Sequence, residues 1–232
     1  LMNRTDTKFL FRIDKLPEIL KKALKNYSIL EINNERIHLY KNQYFDTSDF
    51  EMYLNHHNGK RNRYKIRCRN YGVSDVAFLE IKFKTNKNRT IKKRINNNCS
   101  TNLNRVSSEF IETNSPYKFD ELIPKLMNNF HRITLAHKHD KERITLDFNL
   151  SYTCNFAGVE KKHDLPNLAI CEVKREGFTN TSEFMTILRS EEIRQSRMSK
   201  YCIGAALLNS DLKKNQFKAK LRYIESIHNS EN

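Results

Sequence analysis

RYKIRCRN, residues 63–70, is the stretch on which the fold turns. In a β-strand, alternate side chains leave opposite faces, so Arg63, Lys65, Arg67 and Arg69 share one side while Tyr64, Ile66 and Cys68 share the other. Alternation alone describes many half-buried antiparallel strands with a solvated outer face. A solvated face normally mixes polar residues and both charge signs, because like charges side by side repel. Four cations in a row are tolerable mainly where an anion neutralises them.

The same grammar recurs outward from this stretch. In 76–84, Ala77, Leu79, Ile81 and Phe83 form an apolar face opposite Glu80, Lys82 and Lys84, and in 90–95 Lys92 and Arg94 share a face with Thr90. In 142–150, Ile144, Leu146, Phe148 and Leu150 oppose Arg143, Thr145, Asp147 and Asn149, and in 168–174 Glu172 and Lys174 share a side. An Arg-bearing strand followed by Glu-x-Lys thus occurs twice, at Glu80-Ile81-Lys82 and at Glu172-Val173-Lys174, which suggests two equivalent sheet halves that face each other. If the sheet closes with its charged faces inward, the interior is a channel lined by Arg and Lys, with Glu80, Asp147 and Glu172 as the minority acids. Such a channel suits a linear phosphate chain. Arg offers planar forks and Lys point charges to phosphate oxygens, and a few carboxylates can hold a bridging divalent metal.

Composition sets the outer bounds. The chain has 232 residues, with 42 Lys and Arg against 27 Asp and Glu, a formal net charge of +15. One well-cored domain is expected, with an anionic partner: nucleic acid, acidic lipid headgroups and free oligophosphates all satisfy the charge. Trp is absent, no aromatic-basic RNP-type motif occurs, and the cations alternate within strands, so nucleic acid is disfavoured. Cys68, Cys99, Cys154, Cys171 and Cys202 are odd in number and contain no C-x-x-C pair, which argues against a disulfide framework and a zinc site and favours a reducing cytoplasm. The longest apolar run, 203–208, is far short of the roughly 20 residues of a membrane span, and no signal-peptide core opens the chain. A membrane partner stays open. Leu1 ahead of Met2 leaves room for a natural chain that extends further.

An amphipathic helix is expected over 14–27, from Leu16, Ile19, Leu20, Ala23, Leu24 and Tyr27. Residues 36–95 read as mostly strand, 96–118 as a long polar connection, and 121–130 as a short helix or helical turn. Strands resume from about 132 to 174. Helix returns from 181 and ends in a helix over 211–227 and a frayed polar tail.

The residues resemble the polyphosphate polymerase domain of the VTC (vacuolar transporter chaperone) class, within the triphosphate tunnel superfamily that includes CYTH-type phosphatases. The resemblance rests on an ordered set spread over about residues 4–208: Arg4-Thr5-Asp6-Thr7-Lys8-Phe9, Tyr44-Phe45-Asp46-Thr47, Lys65-Ile66-Arg67-Cys68-Arg69, Glu80-Ile81-Lys82, Phe130-His131-Arg132, Arg143-Ile144-Thr145-Leu146-Asp147, Glu172-Val173-Lys174 and Ser199-Lys200-Tyr201. No single member is specific. The resemblance implies an α+β fold: an antiparallel β-barrel tunnel of about eight strands with a charged interior, flanked by helices, in a single domain spanning 1–232. It implies a transferase that moves the γ-phosphate of ATP onto inorganic polyphosphate with Mn²⁺ or Mg²⁺. The phosphate-binding residues carried over are Lys8, Arg67, Arg69, Lys82, Lys92, Arg132, Arg143 and Lys200, with Lys174 following on the same inward face. Lys200, Arg132, Lys82 and Lys84 are the catalytic candidates, and Glu172 and Glu80 the metal candidates. Arg94 is a further basic candidate.

Triphosphate-hydrolysing relatives usually open with Glu-x-Glu-x-Lys, where this chain has Arg4, Asp6 and Lys8, a change that favours the polymerase branch. A metal-dependent triphosphatase and a non-catalytic polyphosphate-binding module remain the rival readings. His131, His137 and His139 read as surface or packing residues.

Overall fold

The alternating strands assemble into one curled antiparallel sheet, a half-barrel, in a computed structural model that describes residues 4–72, 76–87, 89–96, 105–156, 158–176 and 182–229. β1 (Arg4–Arg12) leads through a 3-10 turn to α1 (Leu16–Ala23), β2 (Tyr27–Ile29) and β3 (His38–Asp46). There follow α2 (Glu51–His57), β4 (Arg63–Tyr71), β5 (Ala77–Lys84), β6 (Thr90–Asn96) and α3 (Arg105–Asn114). The second half holds β7 (Ile123–His137), β8 (Glu142–Phe156), β9 (Val159–Leu165), β10 (Leu168–Glu176), α4 (Glu183–Ser190), α5 (Lys200–Leu208) and α6 (Lys218–Asn229). The main path of the sheet is β1-β10-β8-β7-β3-β4-β5-β6, eight strands, with β2 added on β7 and β9 on β8. The outer edge of β1 is met by a strap, where Phe9 bridges Gln195 and the Ser196 N–H donates to the Lys8 carbonyl.

Period-two patterning gives the sheet an apolar convex face, which the helices cover because that is the surface water must leave. Phe9, Phe11, Ile144, Leu146, Cys171 and Val173 pack on Leu16 and Ile19 of α1 and Phe184 and Leu188 of α4. Phe45, Ile66, Cys68, Leu79 and Ile81 pack on Met52 of α2 and Ile111 of α3. α5 differs, being apolar nearly all round, and it sits against inward-pointing residues, among them Leu126, Leu150 and Tyr152. Gly204 permits that seat, since a Cβ there would run into the Tyr152 ring.

Asp46 joins two of the sequence motifs. Its fully buried carboxylate accepts from the backbone N–H groups of Thr47, Met52 and Tyr53 at 2.8–2.9 Å, closing the start of α2. Phe50 at that helix start takes a left-handed φ of 64°. The Tyr201 hydroxyl donates to the same carboxylate at 2.5 Å, so Asp46 also fixes the first turn of α5.

Several expected elements are redrawn. The first helix stops at Ala23, and Tyr27 belongs to β2, where its hydroxyl donates to Glu142. α2 interrupts the region read as strand, and α3 occupies much of the polar connection. The segment read as a helical turn over 121–130 is mostly the first half of the 15-residue β7. Leu122, Leu126 and Phe130 are four apart, a spacing that both a 3.6-residue and a two-residue period accommodate, and pairing with β3 decides for strand. The last helix runs over Lys218–Asn229, later than expected. Cys154, Cys171 and Cys202 are free and buried, whereas Cys68 is disulfide-bonded, against the reduced state expected for all five. Cys99 and the tail beyond Asn229 lie outside the described residues. No helix among the described residues is long and apolar enough to cross a membrane.

Candidate functional site

The concave face is built by strand register. Lys8, Glu172 and Thr145 stand side by side on β1, β10 and β8, as do Asp6, Lys174 and Arg143. On the other half, Lys65, Lys82 and Lys92 are in register across β4, β5 and β6, and Tyr44, Arg67, Glu80 and Arg94 across β3 to β6. Nine cations, Lys8, Lys65, Arg67, Arg69, Lys82, Lys92, Arg132, Lys174 and Lys200, thus confront Glu80, Asp147 and Glu172, with Asp6 a further acid 3.6 Å from Lys174.

Each carboxylate organises its own cations. Asp147, 2% exposed, takes a two-pronged bond from Arg132 at 2.5 and 2.7 Å and a third contact from Lys200 at 2.5 Å. Ser199 caps α5 by accepting from the Cys202 N–H, which sets Lys200 at the helix start with its ammonium over the Phe130 ring. Burial would raise the Asp147 pKa, but Arg132 and Lys200 hold it well below the usual carboxylate range. Lys200 is pulled down to about 8 by burial, against the opposing charge of Asp147.

Glu80 is fully buried and receives both Nε and Nη2 of Arg67, at 2.8 and 2.6 Å, and the Lys92 ammonium on its other oxygen. Against burial, Arg67, Arg69 and Lys92 keep it ionised. Glu172 faces Lys174 at 3.1 Å and Lys8 at 3.7 Å, and these lysines outweigh burial to bring it to about 2. The two Glu-x-Lys repeats therefore differ in one respect. Glu80 has arginines in register on both sides, Arg67 and Arg94, whereas Glu172 has Lys8 on one side and on the other Thr145, whose hydroxyl is buried with no hydrogen-bond partner among the described residues.

Lys82 is the odd cation. No hydrogen bond or ion pair reaches it among the described residues, and Arg67 and then burial push its pKa far down. Among the described residues, the partners of Arg69 are the Asn42 amide oxygen, at 2.9 Å, and the Tyr40 ring beneath it. Burial and the Arg67 charge lower it to about 10.

The structure brings Lys8, Arg67, Arg69, Lys82, Lys92, Arg132, Lys174, Lys200, Glu80 and Glu172 onto one surface. Two more predicted residues stand at its margin: Arg143 is exposed, in register with Lys174, and Lys84 lies in register with Arg63 at the end of β5. His137 packs edge-on against Tyr27 near Asp140 and Glu183, away from this face. Residues not singled out beforehand also belong to the site. Lys65 donates to the Ser199 hydroxyl at 2.8 Å, tying β4 to the start of α5, and the Tyr44 hydroxyl accepts from Arg67 at 3.2 Å. Lys65 could have been found from its parity with Arg67. The Tyr44 and Asn42 contacts could not, since neither residue type announces a role.

A divalent metal can be tested against these side chains. Among the described residues no group of three His, Cys, Asp or Glu converges. Mg²⁺ and Mn²⁺ sites that handle phosphates need only one or two carboxylates, with phosphate oxygens and water completing the shell. Glu172, ionised and beside the Thr145 hydroxyl that has no hydrogen-bond partner among the described residues, fits that arrangement, while both Glu80 oxygens already lie against cations, Arg67 and Lys92.

The half-barrel is shared with proteins of known structure. A Hippeastrum protein named as an adenylyl cyclase with a dominant triphosphatase activity has a TM-score of 0.54 at 13% identity, covering 89% of this chain and 97% of that one. A Bacillus halodurans protein named as an adenylate cyclase has a TM-score of 0.51 at 15% identity, covering 86% and 96%. At such identities the likeness is one of fold. The VTC domain family matches residues 3–209, and the chain belongs to that family. No curated protein sequence matches it.

Proposed function

We propose that this protein is a metal-dependent polyphosphate polymerase that transfers the γ-phosphate of ATP onto a growing inorganic polyphosphate chain. The observation that carries the reading is the surplus of cations on one concave surface, Arg67 and Arg69 buried and most of the others half-buried, with Lys82 unpartnered among the described residues. Cations held together out of water without acids are costly, and a phosphate chain is the ligand that relieves them along its whole length.

The chemistry asks little else of the protein. A terminal oxygen of the acceptor chain attacks the γ-phosphorus, the bond from that phosphorus to the β-γ bridging oxygen breaks, and ADP leaves. The attacking oxygen is already anionic, so no general base is required, and alignment with charge neutralisation supplies the rate. Lys200, Arg132 and Lys82 would contact the transferring phosphoryl, with Lys84 next along β5. Lys8, Arg67, Arg69, Lys92, Arg143 and Lys174 would hold the flanking phosphates. Glu172 would carry Mn²⁺ or Mg²⁺, which would supply positive charge to offset that of the phosphates. Glu80, retained as a nearby acid, orients Arg67 and Lys92 in this scheme. The proposed setting is cytoplasmic, where ATP is available.

The second reading is a triphosphatase on the same surface, favoured by the activity named for the Hippeastrum protein. One experiment separates the two. Purified protein is incubated with ATP, Mn²⁺ or Mg²⁺ and a short phosphate primer, and products are resolved on a polyphosphate-staining gel. A ladder that lengthens with time supports polymerisation. Orthophosphate alone moves the assignment to hydrolysis, and tight polyphosphate binding without turnover leaves a binding module.

A further inference from the structure

The concave face carries one strip that is not ionic. Phe130 and Tyr40 stack at 5.3 Å across β7 and β3, Tyr40 meets Tyr71 of β4 edge-on at 5.0 Å, and Tyr71 meets Phe78 of β5 edge-on at 6.0 Å. The exposed Arg94 of β6 lies over Phe78 at 4.6 Å. These residues share the parity of the phosphate-facing side chains: Tyr40 precedes Asn42 and Tyr44, Tyr71 follows Arg69, and Phe78 precedes Glu80. Tyr40, Tyr71 and Phe78 are all half-buried, leaving part of each ring open. A cross-strand aromatic row stabilises a sheet wherever it occurs, but a polyphosphate chain has no use for one. A ligand with a phosphate tail and an aromatic head does.

We propose that Tyr71 and Phe78, with Arg94 above and Tyr40 beside them, seat the nucleobase of the phosphate donor. This rests on the reading that the cationic face binds triphosphates. Reach is suitable, because residues two apart on a strand are about 6.8 Å apart, so Tyr71 and Phe78 each lie one such step from Arg69 and Glu80. A nucleotide whose phosphates engage Arg69 and Arg132 projects its base about that far. Arg69 and Arg132 also rest on the Tyr40 ring, at 5.1 and 4.7 Å, so the phosphate and base sites meet there. Stacking accepts any base, with purines preferred for their larger π-surface, and the site predicts weak selection among nucleotides rather than a coded readout.

The test compares two ligands by titration calorimetry, inorganic triphosphate and ATP, on the wild-type chain and on a Tyr71→Leu, Phe78→Leu double variant. Base stacking measured by substitution corresponds to about fivefold or more in affinity. The expected result is an ATP affinity at least fivefold weaker in the variant, with inorganic triphosphate binding unchanged. Saturation-transfer NMR on wild-type protein gives an independent readout that needs no variant: the adenine protons should be saturated more strongly than the ribose protons. Equal loss for both ligands, an unchanged ATP affinity, or ribose saturation exceeding that of the base would overturn the nucleobase seat while leaving the triphosphate site standing. Failure of wild-type protein to bind either ligand would remove both.

Discussion

Replacing Asp147 by Asn should weaken the fold and strengthen triphosphate binding at once. Asp147 is 2% exposed and makes three charge-assisted contacts, two from Arg132 and one from Lys200. Removing one partner of a buried ion pair costs about 3–5 kcal/mol, chiefly because the remaining charges are left unpaired. Arg132 and Lys200 keep 13% and 16% of their side-chain surface exposed, and Asn retains one acceptor oxygen, so the expected cost is lower, about 2–4 kcal/mol. For a chain of this length each kcal/mol moves Tm by about 2–4 °C, which predicts a fall of roughly 4–16 °C. The two released cations then have no internal anion. Inorganic triphosphate should bind more tightly to the variant and recover more degrees of Tm than it adds to the wild type. Differential scanning fluorimetry with and without 1 mM triphosphate reads both effects. An unchanged Tm, or equal ligand-induced shifts in the two proteins, would show that Asp147 is not what keeps the cations in register and would refute the reasoning.

Other expectations follow from the same surface. Glu172→Ala should abolish turnover while polyphosphate binding, followed by gel shift, persists; wild-type turnover would dismiss Glu172 as the metal ligand. Arg69→Gln removes a cation that burial and Arg67 already disfavour, so Tm should rise by a few degrees as triphosphate affinity falls at least tenfold. Tyr201→Phe deletes only the hydroxyl held by Asp46, and a lower kcat with KM unchanged would show that this bond aligns Lys200, whereas a loss of Tm alone would make it structural. Lys200, lowered to about 8 by burial, should make folding more stable and triphosphate affinity weaker as pH rises from about 8 toward the unfolded lysine value near 10.4. The folded chain has shed that proton in this window and the unfolded chain has not. Lys200→Arg, charged throughout, should lose both slopes.

Much of the fold could be read from period-two patterning. A run such as RYKIRCRN fixes which side chains share a face whatever the partner strand, and several runs with one ionic and one apolar side leave little choice beyond a sheet whose apolar side is covered by helices. That argument identified Lys8, Arg67, Lys82 and Glu172 by parity and by resemblance. It failed where two periods coincide, as in 121–130, and where a short helix rests on one buried carboxylate, as α2 rests on Asp46.

The amino-acid sequence by itself determined the cationic face, because charge and strand parity are local properties. Only the tertiary structure decided how those charges are shared: that Glu80 is consumed by Arg67 and Lys92, that Glu172 stands opposite a threonine, and that Asp147 gathers Arg132 from one strand and Lys200 from a helix 53 residues away. Register and helix docking bring together residues distant in the chain, and no pattern along one strand encodes which acid will neutralise which base.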